Sequence, residues 1–262
     1  MRVRFWGTRG SIPVALTTSD IRDKLAMALV QASGRTFKSF EEAHAFASSE
    51  LDFSLTHTFG GHTPCVELEL DSEEYFVCDM GSGARPFGQH VLAKQARRPA
   101  TINIFMSHVH WDHIMGFPFL GPAYVPGTTI RIHGCHDVLE QAFRLQQSPP
   151  CFPVTFEQLG AKIEFVKLTP DKTHEVSGLK VTPHLQLHGG DSYGYRFEHN
   201  GKSVIYSTDS EHKLEWPQSA FTLIASASAY MASKITTSAS RKKFANASAS
   251  VRFSSLCSES VE

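Results

Sequence analysis

The chain has 262 residues, a length that fits one large domain or two small ones and that supports a hydrophobic core without disulfide staples. Its 25 Lys and Arg residues nearly balance its 26 Asp and Glu residues, so it lacks the basic footprint of a strong nucleic-acid binder.

Targeting signals and disulfides are not apparent in the sequence. No apolar run approaches the roughly 20 residues of a membrane span, and the N-terminus lacks the apolar stretch of a signal peptide. The five cysteines are widely spaced and form no C-x-x-C pair. We therefore expect a cytoplasmic protein with reduced thiols.

The first part of the chain predicts strands interrupted by a helical hairpin. Residues 1–6 alternate apolar and charged side chains as a half-buried strand does. A helix from Ser19, with one apolar face, and a second helix near 39–51 follow, and we place this inserted hairpin at about 17–58. Strands are then predicted at 65–70 and 75–78.

The middle of the chain predicts a β-rich pattern with few helices. Strands are expected at 101–106, 129–133, 162–168, 179–187, 192–198 and 203–207, and a helix at 137–147. Asn200-Gly201 is a strong hairpin turn signal between the last two strands. The pattern favours an α/β protein in which helices cover sheets.

The composition changes after Pro217. The segment 216–262 is rich in Ser and Ala and contains no His, Asp or Gly. A strand is conceivable at 221–225, but the rest has weak periodicity. We expect an atypical tail that is poorly ordered or loosely attached.

The strongest chemical signal is the sequence H-x-H-x-D-H directly after the predicted strand at 101–106. Residues two apart in an extended segment point to the same side, so His108 and His110 can bind one ion together. The chain must then turn, which lets Asp112 and His113 face a second ion. Imidazole and carboxylate ligands suit Zn²⁺, with Mn²⁺ or Fe as alternatives.

A protein nucleophile is not indicated. No Ser-His-Asp or Cys-His order is recognisable, so a metal-activated hydroxide is the expected attacking group. Gly81-Ser82-Gly83 opens no dinucleotide-binding motif. We expect it to be a tight turn whose backbone N–H groups support the site.

Several motifs resemble the metallo-β-lactamase superfamily, in a branch near its metal-dependent phosphodiesterases. They are FWGTRGSIPV (5–14), GGHTPCVEL (60–68), VCDMGSGARPFG (77–88), SHVHWDHIMGFPF (107–119), SPPCFPV (148–154), HGGDSYGYRF (188–197) and VIYSTDSEH (204–212). The resemblance covers about 1–215, which we take as the hydrolase domain. It implies a four-layer αββα sandwich.

The resemblance also implies roles for individual residues. The implied metal ligands are His108, His110 and His188 at a first position, Asp112 and His113 at a second, and Asp209 as a bridge. Asp112 and Asp209 are then the residues expected to act in catalysis. Asp79 is similar to the family's buried aspartate, which orients the metal loop through hydrogen bonds.

Other histidines have weaker signals. His184 lies four residues before His188 on the same strand face and is its nearest competitor. His62 stands where the family usually has Asn, either supporting the site or as a plain substitution. No motif surrounds His133, His136, His174 or His199, and these are expected to be solvated.

The sequence departs from the family's pattern at the last metal ligand. A further histidine normally lies downstream of the bridging aspartate, but the last histidine here is His212, too close to Asp209 for that role. We therefore expect weak binding at the second metal position. We also expect that a frameshift or a divergent end has altered the tail.

The resemblance favours hydrolysis of phosphodiester bonds in a small-molecule or nucleotide-like ester. One alternative is a hydrolase of thioester, lactone or β-lactam bonds, and another is an inactive or impaired metal-binding homologue. Arg9 and Arg85 are either phosphate contacts or surface ion-pair residues. The helical hairpin is either a lid or a contact in a homodimer.

Overall fold

The structure is a computed structural model that describes residues 1–58, 61–211 and 250–254. The helices are α1 (Thr18–Gln31), α2 (Phe40–Ser49), α3 (Phe53–Thr56), α4 (Ala84–Lys94), α5 (Trp111–Ile114) and α6 (Leu139–Gln146). The strands are β1 (Arg2–Gly7), β2 (Cys65–Glu69), β3 (Tyr75–Cys78), β4 (Thr101–Phe105), β5 (Thr129–Gly134), β6 (Lys162–Lys167), β7 (His174–Val176), β8 (Leu179–His188), β9 (Gly190–His199), β10 (Lys202–Ser207) and β11 (Ser250–Ser254).

The chain divides into two compact units. One is Pro13–Gly61, and the other combines Met1–Ile12 with the described part of His62–Glu262.

The smaller unit is built on the helical hairpin. Thr17 caps α1, with reciprocal hydrogen bonds between Thr17 and Asp20. No residue of α1 is buried, so the apolar face predicted on this helix stays exposed. In α2 the buried residue is Phe46, whose ring lies 5.2 Å from that of Phe37.

Two sheets form the larger unit. The first has six strands in the order β1-β2-β3-β4-β5-β6, antiparallel from β1 to β3 and parallel from β3 to β6. The second has five antiparallel strands in the order β11-β10-β9-β8-β7. Parallel strands bring their carboxyl ends to one edge of the sheet, where loops can assemble a site.

Strand alternation divides the core into two layers. On β3, Tyr75 and Val77 face a cluster that also contains Phe87 of α4 and Phe143 of α6. The opposite face of the first sheet packs against the second sheet. That layer contains, among others, Phe76, Phe105, Val181, Tyr195, Phe197 and Tyr206. The described residues thus establish a helix layer and two stacked sheets, and the predicted α/β class is confirmed.

Helix α4 is the main element that the sequence pattern did not reveal. Pro86 and Gly88 interrupt its apolar periodicity, and both residues are usually helix breakers. Pro86 lies in the first helical turn, where a missing N–H costs little. A Cβ on Gly88 would lie 3.1 Å from atoms of Leu120, Gly121 and Pro122, so close packing favours glycine there.

The C-terminal tail is described over Ser250–Ser254 alone, which pairs with β10 as β11. The expectation of a poorly ordered or loosely attached tail stays a prediction. The sequence SVRFS alternates polar and apolar residues, which is a strand pattern. His212, the possible strand at 221–225 and the rest of the tail lie outside the described residues.

Among the described residues, no helix is long and apolar enough to cross a membrane. Cys65, Cys78, Cys135 and Cys151 are free thiols, as predicted for these four. Burial raises the pKa of Cys65 and Cys78 well above the ordinary value. Neither thiol is therefore suited to act as a nucleophile.

Candidate metal centre

The H-x-H-x-D-H segment leaves the end of β4 and turns into a one-turn helix. His110 has extended backbone angles (φ −61°, ψ 152°) at the start of α5, and the His113 N–H donates to its carbonyl at 3.0 Å. The extended part aligns His108 with His110, and the helical turn brings His113 back beside them. His108 and His113 are buried, whereas His110 is exposed.

The second sheet supplies the other two predicted ligands. His188 ends β8 at a tight turn, in which it pairs with Gly190, a residue with φ 89°. The Tyr193 N–H donates to the Ser107 carbonyl at 2.8 Å and so joins the β8–β9 hairpin to the segment 107–113, which carries the H-x-H-x-D-H residues. Asp209 lies just beyond the end of β10.

These residues bring their donor atoms together in two overlapping groups. The first contains His108, His110 and His188, and the second contains His108, His113 and Asp209, with all donor atoms in a group within 4.8 Å of one another. Nε2 of His188 lies 3.3 Å from Nδ1 of His110.

Asp209 belongs to the second group and also lies near His188 of the first. Its Oδ2 is 3.5 Å from Nε2 of His113 and 3.9 Å from Nε2 of both His108 and His188. A carboxylate that bridged two ions would have to lie in such a position.

The donor atoms fit a metal ion better than they fit one another. Nε2 of His108 and of His113 are both buried and have no hydrogen-bond partner, an arrangement that costs free energy unless a ligand satisfies them. Tetrahedral Zn²⁺ with bonds of 2.0–2.1 Å separates its ligand atoms by about 3.4 Å. The observed separations are close to that value and longer than most hydrogen bonds.

Asp112 lies at the edge of this cluster. Its Oδ2 is 3.6 Å from Nε2 of His113, but Asp112 belongs to neither of the two groups. The backbone N–H of Ser11 donates to the same oxygen at 2.9 Å. Ser11 has φ 64°, so the loop after β1 adopts an uncommon backbone conformation where it meets Asp112.

Asp79 fixes the orientation of two histidine rings. Its Oδ2 accepts from Nδ1 of His113 at 2.8 Å and from Oγ of Ser107 at 2.7 Å, and its Oδ1 accepts from the Ser107 N–H at 2.8 Å. Because the Ser107 hydroxyl gives its proton to Asp79, it can accept from Nδ1 of His108, 3.1 Å away. Both rings then carry a proton on Nδ1, and Nε2 of each faces the cluster.

Charge in the cluster is concentrated on one imidazole. Burial opposes protonation of His113, but the charge of Asp79, its hydrogen bond with His113 and the nearby Asp209 and Asp112 carboxylates outweigh burial and raise the pKa of His113 to about 10. Burial, followed by repulsion from His113, lowers the pKa of His108 to about 3. His113 also holds the pKa values of Asp79 and Asp209 below the ordinary value, although burial acts in the opposite direction. The cluster therefore keeps ionised carboxylates that attract a cation.

Two expectations about other histidines are wrong. His133 and His136 are buried rather than solvated. His133 stacks on Phe105 with ring centroids 4.9 Å apart, and Nε2 of His136 lies 2.7 Å from the Asp191 carbonyl. Packing between the two sheets, which no local motif reveals, accounts for both.

His184, the competitor of His188, and His62 both lie outside the two groups of donor atoms. His184 is exposed and pairs with Oδ1 of Asp171 at 2.7 Å. His62 is exposed, and its Nδ1 lies 3.0 Å from Oγ of Ser82.

The turn at Gly81-Ser82-Gly83 packs against the site differently from the prediction. Its N–H groups donate to Pro64 and Thr63 rather than toward the metal cluster. A Cβ on Gly81 would lie 2.4 Å from the Asp112 carbonyl oxygen. The turn thus supports the site by close backbone packing.

Sequence reasoning missed Ser107, Ser11 and Tyr206 as partners of the cluster. Ser107 directly precedes His108, and Tyr206 lies three residues before Asp209. Their positions near predicted ligands could have pointed to Ser107 and Tyr206. The residues that they contact, however, are visible only in the tertiary structure.

Comparison with known protein families gives a match over much of this larger unit. A family model described as "Beta-lactamase superfamily domain" matches residues 76–237. This range contains Asp79 and all six predicted metal ligands.

Curated relatives are more distant. Ribonuclease Z of Staphylococcus haemolyticus (strain JCSC1435) is 28% identical over 146 residues, 52% of this chain and 44% of the relative. Ribonuclease Z of Staphylococcus aureus (strain MSSA476) is 28% identical over 145 residues, 52% of this chain and 43% of the relative. The match thus spans less than half the length of these relatives.

Solved structures show weak likeness. Human tRNase Z, short form, has a TM-score of 0.46 at 16% identity and covers 81% of this chain and 70% of its own. The metallo-beta-lactamase fold protein YhfI from Bacillus subtilis has a TM-score of 0.45 at 18% identity and covers 60% and 58%.

Proposed function

The chain belongs to the beta-lactamase superfamily, and from this premise we propose that it is a metal-dependent hydrolase acting on phosphodiester bonds. We propose Zn²⁺ as the ion, and a small-molecule or nucleotide-like ester as the substrate. Mn²⁺ and Fe suit the same nitrogen and oxygen donors.

One observation carries the proposal. The buried Nε2 atoms of His108 and His113 have no hydrogen-bond partner and converge on Oδ2 of Asp209. A cluster of imidazoles and a carboxylate with unsatisfied donor atoms is arranged for a cation rather than for internal hydrogen bonding.

Different sets of residues would hold the two proposed ions. His108, His110 and His188 would hold one ion, and His113 and Asp112 a second, with Asp209 between them. A metal ion in such a site lowers the pKa of bound water toward about 7 and stabilises negative charge that develops on the substrate. Asp79 and Ser107 keep the Nδ1 protons in place, so that Nε2 of both rings remains available.

Phosphodiesters are favoured over other esters by the relatives. Two of the similar proteins are named ribonucleases, and a ribonuclease acts on RNA. Arg9 and Arg85 are both exposed and are candidates for phosphate contacts, of which Arg9 belongs to the loop that holds Asp112 through Ser11.

The second ion position is proposed to bind weakly. Asp112, one of the two residues assigned to this position alone, stands at the edge of the donor cluster and belongs to neither group of donor atoms. Elemental analysis after dialysis should find about one tightly held metal per chain. Two tightly held metals per chain would contradict this part of the proposal.

The activity is tested with metal-loaded protein and three substrates: bis(p-nitrophenyl) phosphate, a thioester and a β-lactam. We expect turnover of the phosphodiester, and its loss, together with metal binding, in His110→Ala. The matched control is His184→Ala, which removes an exposed histidine outside the cluster and should change neither property.

Two results would overturn the proposal. Turnover of the thioester or the β-lactam without the phosphodiester would assign a different bond to the same site. Tight metal binding without turnover of any ester would indicate a metal-binding homologue that is not an enzyme.

A further inference from the structure

Two tyrosines of the second sheet donate hydrogen bonds to residues that directly follow β3 and β4 of the first sheet. Tyr195 on β9 and Tyr206 on β10 are direct neighbours in the strand register, and both side chains are fully buried. The Tyr195 hydroxyl donates to the Met106 carbonyl at 2.6 Å, and the Tyr206 hydroxyl donates to Oδ2 of Asp79 at 2.6 Å. Burying a tyrosine with its hydroxyl bonded is common, but here both bonds end beside the site.

The acceptor of Tyr206 is the atom that holds His113. Oδ2 of Asp79 accepts from Tyr206, from Ser107 and from Nδ1 of His113, each within 2.8 Å. Asp79 itself has φ 58°, an uncommon backbone conformation for a residue other than glycine. The position of this carboxylate therefore depends on its hydrogen bonds, and Tyr206 is the donor that comes from the opposite sheet.

Tyr206 also shares a strand end with a predicted ligand. Asp209 follows β10 by two residues, and its Oδ2 lies 3.5 Å from Nε2 of His113. The bond from Tyr206 to Asp79 thus ties the strand that delivers Asp209 to the carboxylate that orients His113.

We propose that Tyr206 is a positioning residue of the metal centre: its hydroxyl fixes Asp79, and with it sets the distance between His113 in α5 and Asp209 just beyond the end of β10. This inference rests on the proposed metal site but not on the identity of the substrate. Hydrogen-bond partners of metal ligands typically change metal affinity by about 10–100-fold when they are removed.

The test compares three variants that each remove one buried tyrosine hydroxyl. Tyr206→Phe removes the bond to Asp79. Tyr195→Phe removes the neighbouring bond to a backbone carbonyl. Tyr75→Phe removes a hydroxyl that accepts from Gln95 at 3.2 Å on the helix-facing side of the first sheet. Metal affinity is measured by titration with Zn²⁺ and Co²⁺, and melting temperature is measured for each protein.

Because Tyr206 acts through Asp79, one hydrogen bond farther from the ligand, we expect Tyr206→Phe to bind metal about 10-fold more weakly, the lower end of that range, and to change the visible absorption bands of bound Co²⁺. Tyr75→Phe should keep the affinity and the spectrum of the parent. Tyr195→Phe should lower the melting temperature and affect metal affinity less than Tyr206→Phe does. Parent-like affinity and spectrum in Tyr206→Phe would overturn the inference.

A measurement on the unmodified protein keeps the inference testable if Tyr206→Phe does not fold. The buried Tyr206 hydroxyl proton should give a slowly exchanging NMR resonance that shifts when Zn²⁺ is added, because His113 shares its acceptor. A resonance that does not respond to Zn²⁺ would count against the inference. A parent that binds metal but hydrolyses no phosphodiester would instead overturn the proposed function alone.

Discussion

The layer between the two sheets and the helical hairpin of residues 13–61 use the same kinds of side chain in opposite ways. Between the sheets, apolar residues are buried and polar groups such as Asp79 and His133 are enclosed with them. In the hairpin, Leu25, Leu29 and Val30 are exposed, and α1 buries no residue.

The contrast shows that an apolar residue contributes to the free energy of unfolding only as far as another surface covers it. Both regions have apolar positions at the correct period for their element. Among the described residues, a second surface covers those positions between the sheets, whereas those of α1 are exposed. Substitutions of the same chemistry should therefore have large effects between the sheets and small effects on exposed elements.

The largest difference is expected for two aspartate–histidine pairs. Asp79 is 2.8 Å from Nδ1 of buried His113, and Asp171 is 2.7 Å from Nδ1 of exposed His184. The two aspartates even share a left-handed backbone, with φ 58° and 59°. Breaking the buried pair with Asp79→Asn should cost about 3–5 kcal/mol of unfolding free energy. Asp171→Asn should cost about 0–1 kcal/mol.

Urea denaturation of the two aspartate variants measures this difference, and metal titration accompanies it. Asp79→Asn should also weaken metal binding, whereas Asp171→Asn should not. Equal losses of stability in the two variants would show that burial does not govern these pairs.

A leucine pair tests the apolar side of the comparison. Leu68 on β2 is 1% exposed, and Leu29 on α1 is 72% exposed. Leu68→Ala should destabilise the protein by about 2–5 kcal/mol, since it leaves a cavity in the core. Leu29→Ala should stay within about 0.5 kcal/mol of the parent. Denaturant unfolding of both variants provides the measurement, and a large loss for Leu29→Ala would reveal a partner surface for the hairpin.

The buried histidine between the sheets predicts a pH dependence. Burial, with Arg131 and His174 adding repulsion and Glu74 opposing, lowers the pKa of His133 to about 4. Between about pH 6.5 and 4 the unfolded chain takes up a proton at His133 that the folded protein does not, so unfolding becomes easier as pH falls through this window. The total loss is about 3 kcal/mol at most.

His133→Phe keeps an aromatic ring beside Phe105 and removes this titration. The stability of the variant should therefore fall less steeply than that of the parent between pH 6.5 and 4. His44→Phe in the hairpin is the control for replacing an imidazole at an exposed position. Parallel curves for His133→Phe and the parent would refute the assignment.

The smallest effect is expected at the start of the hairpin. Thr17→Ala removes the capping box with Asp20 and should cost about 1 kcal/mol of local helix stability. Because α1 buries no residue, faster amide exchange should be confined to the first turns of α1, with the sheets unchanged. Faster exchange in the sheets would show that the hairpin is energetically coupled to them.

The sequence alone determined most strands and the composition of the site. Periodicity found nine of the eleven described strands, all except β7 and β11, because period-two alternation reports which face of a strand is buried. The cluster of His108, His110, Asp112 and His113 was evident since the four residues lie within one short segment. His188 and Asp209 entered through resemblance to a family, and the structure brings both into the cluster.

Tertiary structure decided what depends on distant contacts. Helix α4 formed despite Pro86 and Gly88, because neighbouring segments pack closely against it. The burial of His133 and the bond from Tyr206 to Asp79 arise where the two sheets meet, 127 residues apart in the chain for the latter pair. Local pattern reports which residues can bind a metal, whereas the packing of one sheet on the other decides which of them meet.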